Sequence, residues 1–229
     1  MYNDQAVEME CANCPKTFSS NAKCENGHYI CDSCHSAAGV LSIQYACNRM
    51  ASKNPLEIAI ALMKSPAINM HGPEHHVLVG SVLLAAYRNS GGNIDLSNAL
   101  QEMAKRGKNI PGGICGFWGS CGAAISSGMF ISIATKSTPL STATWGLSNL
   151  MTASSLKNIG SIGGPRCCKR NSFISIKTAV QFAEEHLGVT MELPLEIKCT
   201  HFFRNKECLG EKCPFFPESS SRLTDGIIM

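Results

Sequence analysis

Six soft metal donors fall within the first 34 residues, in the run Cys11-x2-Cys14-x9-Cys24-x3-His28-x2-Cys31-x2-Cys34. No other feature restricts the fold as much. Thiolate and imidazole are the preferred donors of tetrahedral zinc, and a two-residue gap lets one tight turn offer two sulfurs to one ion. So short a segment cannot bury enough apolar surface to fold alone, so metal must supply folding energy. The spacing predicts a zinc-stapled module over residues 1–36, with Cys11, Cys14, Cys31 and Cys34 on one ion. Gly27 suits a turn that aims the Cys24–His28 loop inward. The zinc is read as holding the fold, not as doing chemistry.

Order and spacing resemble the first six ligands of a RING finger or a related treble clef. In that arrangement the first and third pairs share one zinc, while Cys24 and His28 open a second site that needs two more ligands. Cys47, or a thiol from the end of the chain, would supply what is missing; otherwise Cys24 and His28 are unused. The following Cys-x2-Cys that completes a RING is absent, which argues against ubiquitin-ligase function.

The remainder is long enough, and at 44% hydrophobic and 16% charged apolar enough, for one sizeable core. A net charge of +3 is too mild to argue for nucleic acid or an anionic membrane. The first ten residues have no basic and no apolar region of a secretory signal, and no apolar run reaches the roughly 18 residues of a membrane span. Thirteen cysteines in such a chain predict a reducing cytoplasm, where paired cysteines read as ligands or catalytic thiols before disulfides.

Helix signals recur through the chain. Helices are predicted over 37–50; from Pro55, capped by Asn54, to about 64; from Pro73 to the Gly91-Gly92 pair; and after the cap Asp95, ending at Gly107. Residues 111–165 are rich in Gly, Ser, Ala and Thr. They are read as a glycine loop (111–122) and two helices of small residues (123–135 and 142–156) that pack closely or line a ligand site. Phe173, Ile176, Val180, Ala183 and Leu187 mark the best amphipathic helix, capped by Asn171 or Ser172 and stopped by Gly188. An extended piece over 191–197 and a loose tail after Pro217 complete the reading.

Four further groups carry chemistry. Cys115 and Cys121 lie in a loop with five glycines beside Phe117 and Trp118, and Cys121 stands at the next helix start, where the dipole favours thiolate. Arg166-Cys167-Cys168-Lys169-Arg170 joins two thiols to three cations at another helix start, the best place for a reactive or cluster-ligating thiol. Cys199, His201, Cys208 and Cys213, the last followed by Pro214, make a zinc or iron–sulfur site. His71, Glu74, His75 and His76 sit together at a helix start and suit metal binding or proton transfer. The plainer alternatives are packed apolar cysteines, a basic surface turn and ordinary helix caps.

The set His-Gly-Pro-Glu-His-His, Gly-Gly-Ile-Cys-Gly-Phe-Trp-Gly-Ser-Cys-Gly-Ala-Ala, Arg-Cys-Cys-Lys-Arg and Cys-Thr-His…Cys…Cys-Pro-Phe-Phe, between Met70 and Phe216, resembles an uncharacterised cysteine-rich domain family of methanogenic archaea and anaerobic bacteria. Members are sometimes joined to methyltransferase-type domains. The resemblance implies an anaerobic, metal-rich setting and a methyltransferase as one partner to expect, and no particular substrate.

The sequence thus predicts a mainly α protein: a zinc module with treble-clef or RING-like character (1–36), a helical cysteine-rich domain (37–216) and a tail (217–229). The leading functional reading is an oxygen-sensitive cytoplasmic enzyme handling sulfur or methyl groups. In it Cys167 and Cys168 are catalytic thiols and His75 and Glu74 move protons. Cys115, Cys121, Arg166 and Arg170 bind an iron–sulfur cofactor or anionic substrate, and Cys199, Cys208 and Cys213 ligate metal. A zinc adaptor and a thiol-based metal or redox sensor are the competing readings.

Overall fold

The computed structural model describes residues 2–24 and 26–217; the tail beyond Pro217 lies outside them. The chain begins with an antiparallel hairpin, β1 (Tyr2–Glu10) and β2 (Thr17–Ala22), paired Glu10 with Thr17 through Val7 with Ser20. The sequence reading contains no strand here. The hairpin is polar and largely exposed, so it lacks the alternation that marks a strand buried on one face. A lone two-stranded ribbon is marginal in water, and its connecting turn carries Cys11 and Cys14.

Eight α-helices follow among the described residues. α1 (Asp32–Arg49) starts five residues earlier than the sequence predicts, because Cys31 occupies the N-cap in extended conformation and Asp32 complements the helix dipole in the first turn. α2 (Pro55–Met63) is capped as expected, the Asn54 side chain accepting from the amides of Leu56 and Glu57. α3 (His75–Asn89) and α4 (Leu96–Gly107) come next, the latter capped by Asp95 accepting from the Asn98 amide. α5 (Ile114–Phe117) is a single turn inside the glycine loop, before α6 (Gly122–Ala134) and α7 (Ala143–Ile162). α8 (Cys168–Leu187) is capped by Cys167, four or five residues upstream of the expected cap, and stopped by Gly188 at φ +64°. Residues 191–197 form no strand; the stretch lies irregularly along the body, where the Glu192 amide donates to the Lys53 carbonyl.

α3 is the axis of the body. Every residue from Val77 to Tyr87 is buried, and the helix packs against α1, α2, α4, α6 and α8. A helix apolar all round is a core helix. The small residues of α6 permit the approach the sequence suggests: the Gly80 amide of α3 reaches Ser126 Oγ at 2.8 Å, and Ser127 Oγ meets Ser155 Oγ of α7 at 2.9 Å. Gly128 lies against Thr152 and the Ser148 carbonyl, with no room for a side chain. α7 lies nearer the surface: only its Met151 and Ser155 are buried, and Trp145 and Leu150 are exposed.

Two consequences of this packing position the cysteines. The first turns of α3, α6 and α8 meet around one pocket. The segment after α8 folds back over its start, where the Cys199 amide donates to the Phe215 carbonyl at 2.7 Å and the Phe173 and Phe215 rings pack edge to face.

A Cβ at Gly128 of α6 would lie 2.8 Å from the Ser148 carbonyl, whereas one at Gly146 of α7 would meet nothing. Gly128→Ala is expected to lose about 1–3 kcal/mol by overpacking. Gly146→Ala is expected to gain about 0.5–1 kcal/mol from helix propensity. Thermal unfolding followed by circular dichroism checks the opposite signs; a destabilised Gly146→Ala or a neutral Gly128→Ala contradicts this packing.

Candidate metal centres

The first centre is built where the hairpin meets α1. Cys11 and Cys14 occupy the β1–β2 turn, Cys31 the N-cap of α1 and Cys34 its first turn. Their four sulfurs all lie within 4.8 Å of one another. Cys14 Sγ and Cys31 Sγ are 3.9 Å apart, close to the roughly 3.8 Å edge of a tetrahedron with zinc–sulfur bonds of about 2.3 Å. The Cys31 amide donates to Cys11 Sγ at 3.2 Å. Burial raises the Cys11 thiol, but the amides of Cys31, Asn13 and Cys14 outweigh it and bring it down to about 6. Hydrogen bonds that the Cys34 thiol donates to Cys31 and Cys14 push it up to about 12. A four-cysteine group able to hold a metal ion is therefore present.

Cys24 and His28 do not join it. They close a turn on each other, the Cys24 amide donating to the His28 carbonyl, around Gly27 at φ +84°. Among the described residues neither belongs to any cluster of three close ligands. Cys47 supplies no ligand either: it is buried in the core on α1, and burial pushes its thiol up to about 12.

The double cysteine is divided between two pockets, which is the main departure from the sequence reading. Cys167 faces the carboxy-terminal group and lines a pocket of about 20 Å3 with Cys199, His201, Cys208 and Cys213. Three of these sulfurs accept backbone amides: Cys167 from Arg170 at 3.5 Å, Cys199 from His201 at 3.4 Å and Cys208 from Gly210 at 3.5 Å. Cys168 faces the other way, into a pocket of about 30 Å3 lined by Cys115, Cys121, Arg166 and the imidazoles of His75 and His76. Both spaces suit an inorganic group and are too small for an organic one. Among the described residues, no three ligating atoms of either group lie within 4.8 Å of one another, so each set is spread wider than that of the first centre.

Next to the second pocket opens a cavity of about 540 Å3, within the range of small-molecule sites. Its wall is the glycine loop with Cys115 and Cys121, the end of α7, and Arg166, Arg170 and Asn171. Cys121 is the N-cap of α6, as the sequence suggests, and receives the Asn171 side-chain amide at 3.4 Å. Asn171 was read only as a cap; its place three residues after Cys168, one helical turn on, is the signal that would have found it.

The expected thiolate stabilisation by three cations is not what the structure shows. Desolvation raises the Cys167 thiol and pushes that of Cys168 up to about 12. Lys169 and Arg170 are buried and spend their charge on carbonyls: Lys169 Nζ donates to Asn69 at 2.8 Å, and Arg170 Nη2 to Gly163 and Pro165 at 2.9 Å each. The histidine group is similarly dispersed. His71 Nε2 contacts Asn205 at 3.1 Å and Glu207 at 3.4 Å, beside the carboxy-terminal group. Buried Glu74 accepts the Asn69 amide at 2.9 Å, and burial raises its carboxyl. Burial and then the Lys169 charge hold His75 well below the usual imidazole range.

A model of a family of unknown function (DUF5714) matches residues 43–216 of the chain. No curated protein and no solved structure matches it. The family match begins inside α1, after the last cysteine of the first centre.

Anaerobic purification and metal analysis of single variants check the first centre. Cys14→Ser and Cys34→Ser are expected to lose one zinc per chain; Cys24→Ser and His28→Ala are expected to keep it. Zinc loss on changing Cys24 or His28 would mean that the ligand set is wrong.

Proposed function

The chain belongs to that family of unknown function, and from the arrangement of its own thiols we propose that it is an iron–sulfur protein with enzymatic activity, carrying a structural zinc at Cys11, Cys14, Cys31 and Cys34. The division into a zinc module and a helical cysteine-rich domain is part of this reading. Cys167, Cys199, Cys208 and Cys213 ligate a cluster. Four soft donors around a closed pocket, three of them receiving backbone amides, fit a group that is negatively charged and buried. Their spread, wider than that of the zinc cysteines, favours a cluster over a single ion.

The cavity beside the glycine loop is the substrate chamber. Cys115, Cys121, Arg166 and Arg170 line it, so sulfur and cationic side chains share one wall. Sulfur- or methyl-group chemistry on a small anionic molecule suits that lining, and a methyltransferase is a fitting protein partner. Glu74, buried with a raised carboxyl, is the acid–base group nearest the second pocket's His75. An anaerobic, cytoplasmic setting follows from so many free thiols. Among the described residues no helix is long and apolar enough to cross a membrane.

One observation carries the reading: Cys167 and Cys168, joined by a single peptide bond, face two different groups of cysteines. A cluster held by Cys167 therefore lies one residue from the thiols beside the chamber.

The protein purified without oxygen is expected to be brown and to contain iron and acid-labile sulfide besides zinc. Cys199→Ala and Cys213→Ala are expected to lose iron, sulfide and visible absorbance while keeping the zinc; Cys47→Ala should keep all three. A colourless protein with zinc alone, also after anaerobic reconstitution with ferrous iron and sulfide, removes the cluster and leaves a zinc adaptor.

A further inference from the structure

His75 has an arrangement that hydrogen bonding inside the protein does not complete. It is the first residue of α3 and is 1% exposed. Its Nδ1 lies 3.0 Å from the Gly72 carbonyl. A carbonyl only accepts, so Nδ1 carries the proton and Nε2 is left with its lone pair. That Nε2 is buried and has no partner among the described residues. A buried, unpaired acceptor carries the full penalty of its lost solvation. The pocket it lines holds Cys115, Cys121 and Cys168.

We propose that Cys115, Cys121, Cys168 and His75 Nε2 ligate a second iron–sulfur cluster, separate from the one at the carboxy-terminal group. His75 is then a ligand and not the proton carrier that the sequence suggests. Three observations support it. Metal-bound histidines donate their other ring nitrogen to a carbonyl or carboxylate, and His75 Nδ1 has both, Gly72 at 3.0 Å and Glu74 Oε1 at 3.5 Å. One of the sulfurs receives an amide donor, Cys121 from the Asn171 side chain at 3.4 Å. The first turns of α3, α6 and α8 bring their positive ends to the same pocket, which favours a group of net negative charge. The neighbouring His76 is a less suitable ligand, because its ring packs against Gly122 and is not fully buried.

Iron, sulfide and zinc are measured in the full chain, reconstituted anaerobically with ferrous iron and sulfide. The wild type is expected to hold two clusters. His75→Ala, Cys115→Ala and Cys168→Ala should each keep about half of the iron and sulfide, and His76→Ala all of it. His75→Cys should restore the full complement with a shifted midpoint potential, which a merely structural role for His75 would not produce. Unchanged zinc and helical circular dichroism certify that the variants fold. Cys199→Ala should also keep half of the iron, and the double variant Cys199→Ala/Cys168→Ala none. If His75→Ala and Cys168→Ala hold as much iron as the wild type, the inference is overturned, while loss of all iron in Cys199→Ala would leave the carboxy-terminal cluster standing. Zinc instead of iron at the four ligands would overturn it as well.

Discussion

Two cations buried at the start of α8 hold up the rest of the cysteine-bearing architecture. Removing a lysine and an arginine from water costs several kcal/mol each, and that cost is offset only by well-formed, charge-assisted hydrogen bonds. Lys169 reaches back to the Asn69 carbonyl, ahead of the Gly72 turn. Arg170 gathers the carbonyls of Gly163 and Pro165, which form the far wall of the large cavity, and holds the Asn171 side chain at 3.2 Å. Burial brings Lys169 down to about 8 against the pull of Glu74. The loops on both sides are thereby tied to one rigid helix start. Cys167 is the extended N-cap and Cys168 the first helical residue, so the backbone turns between them and a fixed helix start sends the two side chains into different pockets. Two pockets instead of one follow from that geometry.

What could be read from the residues has a clear physical pattern. Helices with side-chain caps at Asn54 and Asp95, and the stop at Gly188, were legible because the signal is local. The four outer cysteines of the first centre were legible because knuckle spacing is local too. The hairpin was not, since an exposed polar ribbon carries no hydrophobic period. The cap of α8 was missed because cysteine is not an ordinary capping residue, yet Cys167 Sγ accepts the Arg170 amide. Nor could the division of the double cysteine be seen, because it depends on distant groups on either side, His75, Cys115 and Cys121 before it and Cys199, Cys208 and Cys213 after it. The basic turn misled for a related reason: charge density in a sequence suggests a solvated or ligand-binding face, and tertiary burial turned it into internal scaffolding.

Cys47 provides the contrast that separates ligand from core. It is buried in the hydrophobic cluster, and desolvation alone accounts for its raised thiol. Cys11, Cys167, Cys199 and Cys208 instead accept backbone amides, and Cys121 accepts a side-chain amide. A neutral thiol acting as a small apolar residue has no need of such donors. They place partial positive charge where a sulfur is to be negative, which a metal-bound thiolate is. The thirteen cysteines thus have at least two kinds of environment, and amide donation to sulfur tells them apart better than burial does.

The four-cysteine centre is physically joined to the glycine-loop pocket. Asp32 lies between Cys31 and Cys34 in the first turn of α1, and its carboxylate accepts the Gly112 amide at 2.6 Å. The carboxylate fills the space that a side chain at Gly112 would need. On the next residue after Cys34, His35 Nδ1 stands 4.0 Å from Glu74 Oε2, too far for a hydrogen bond but close enough to constrain the buried carboxyl. One turn of α1 therefore fixes both the entry to the loop bearing Cys115 and the residue preceding His75. That turn is nucleated by cysteines at its cap and third position, and helix nucleation is the costly step that metal binding would cover. A zinc that only holds the fold would, through Asp32 and His35, also set the geometry in which the more distant sulfurs and the unpartnered imidazole meet.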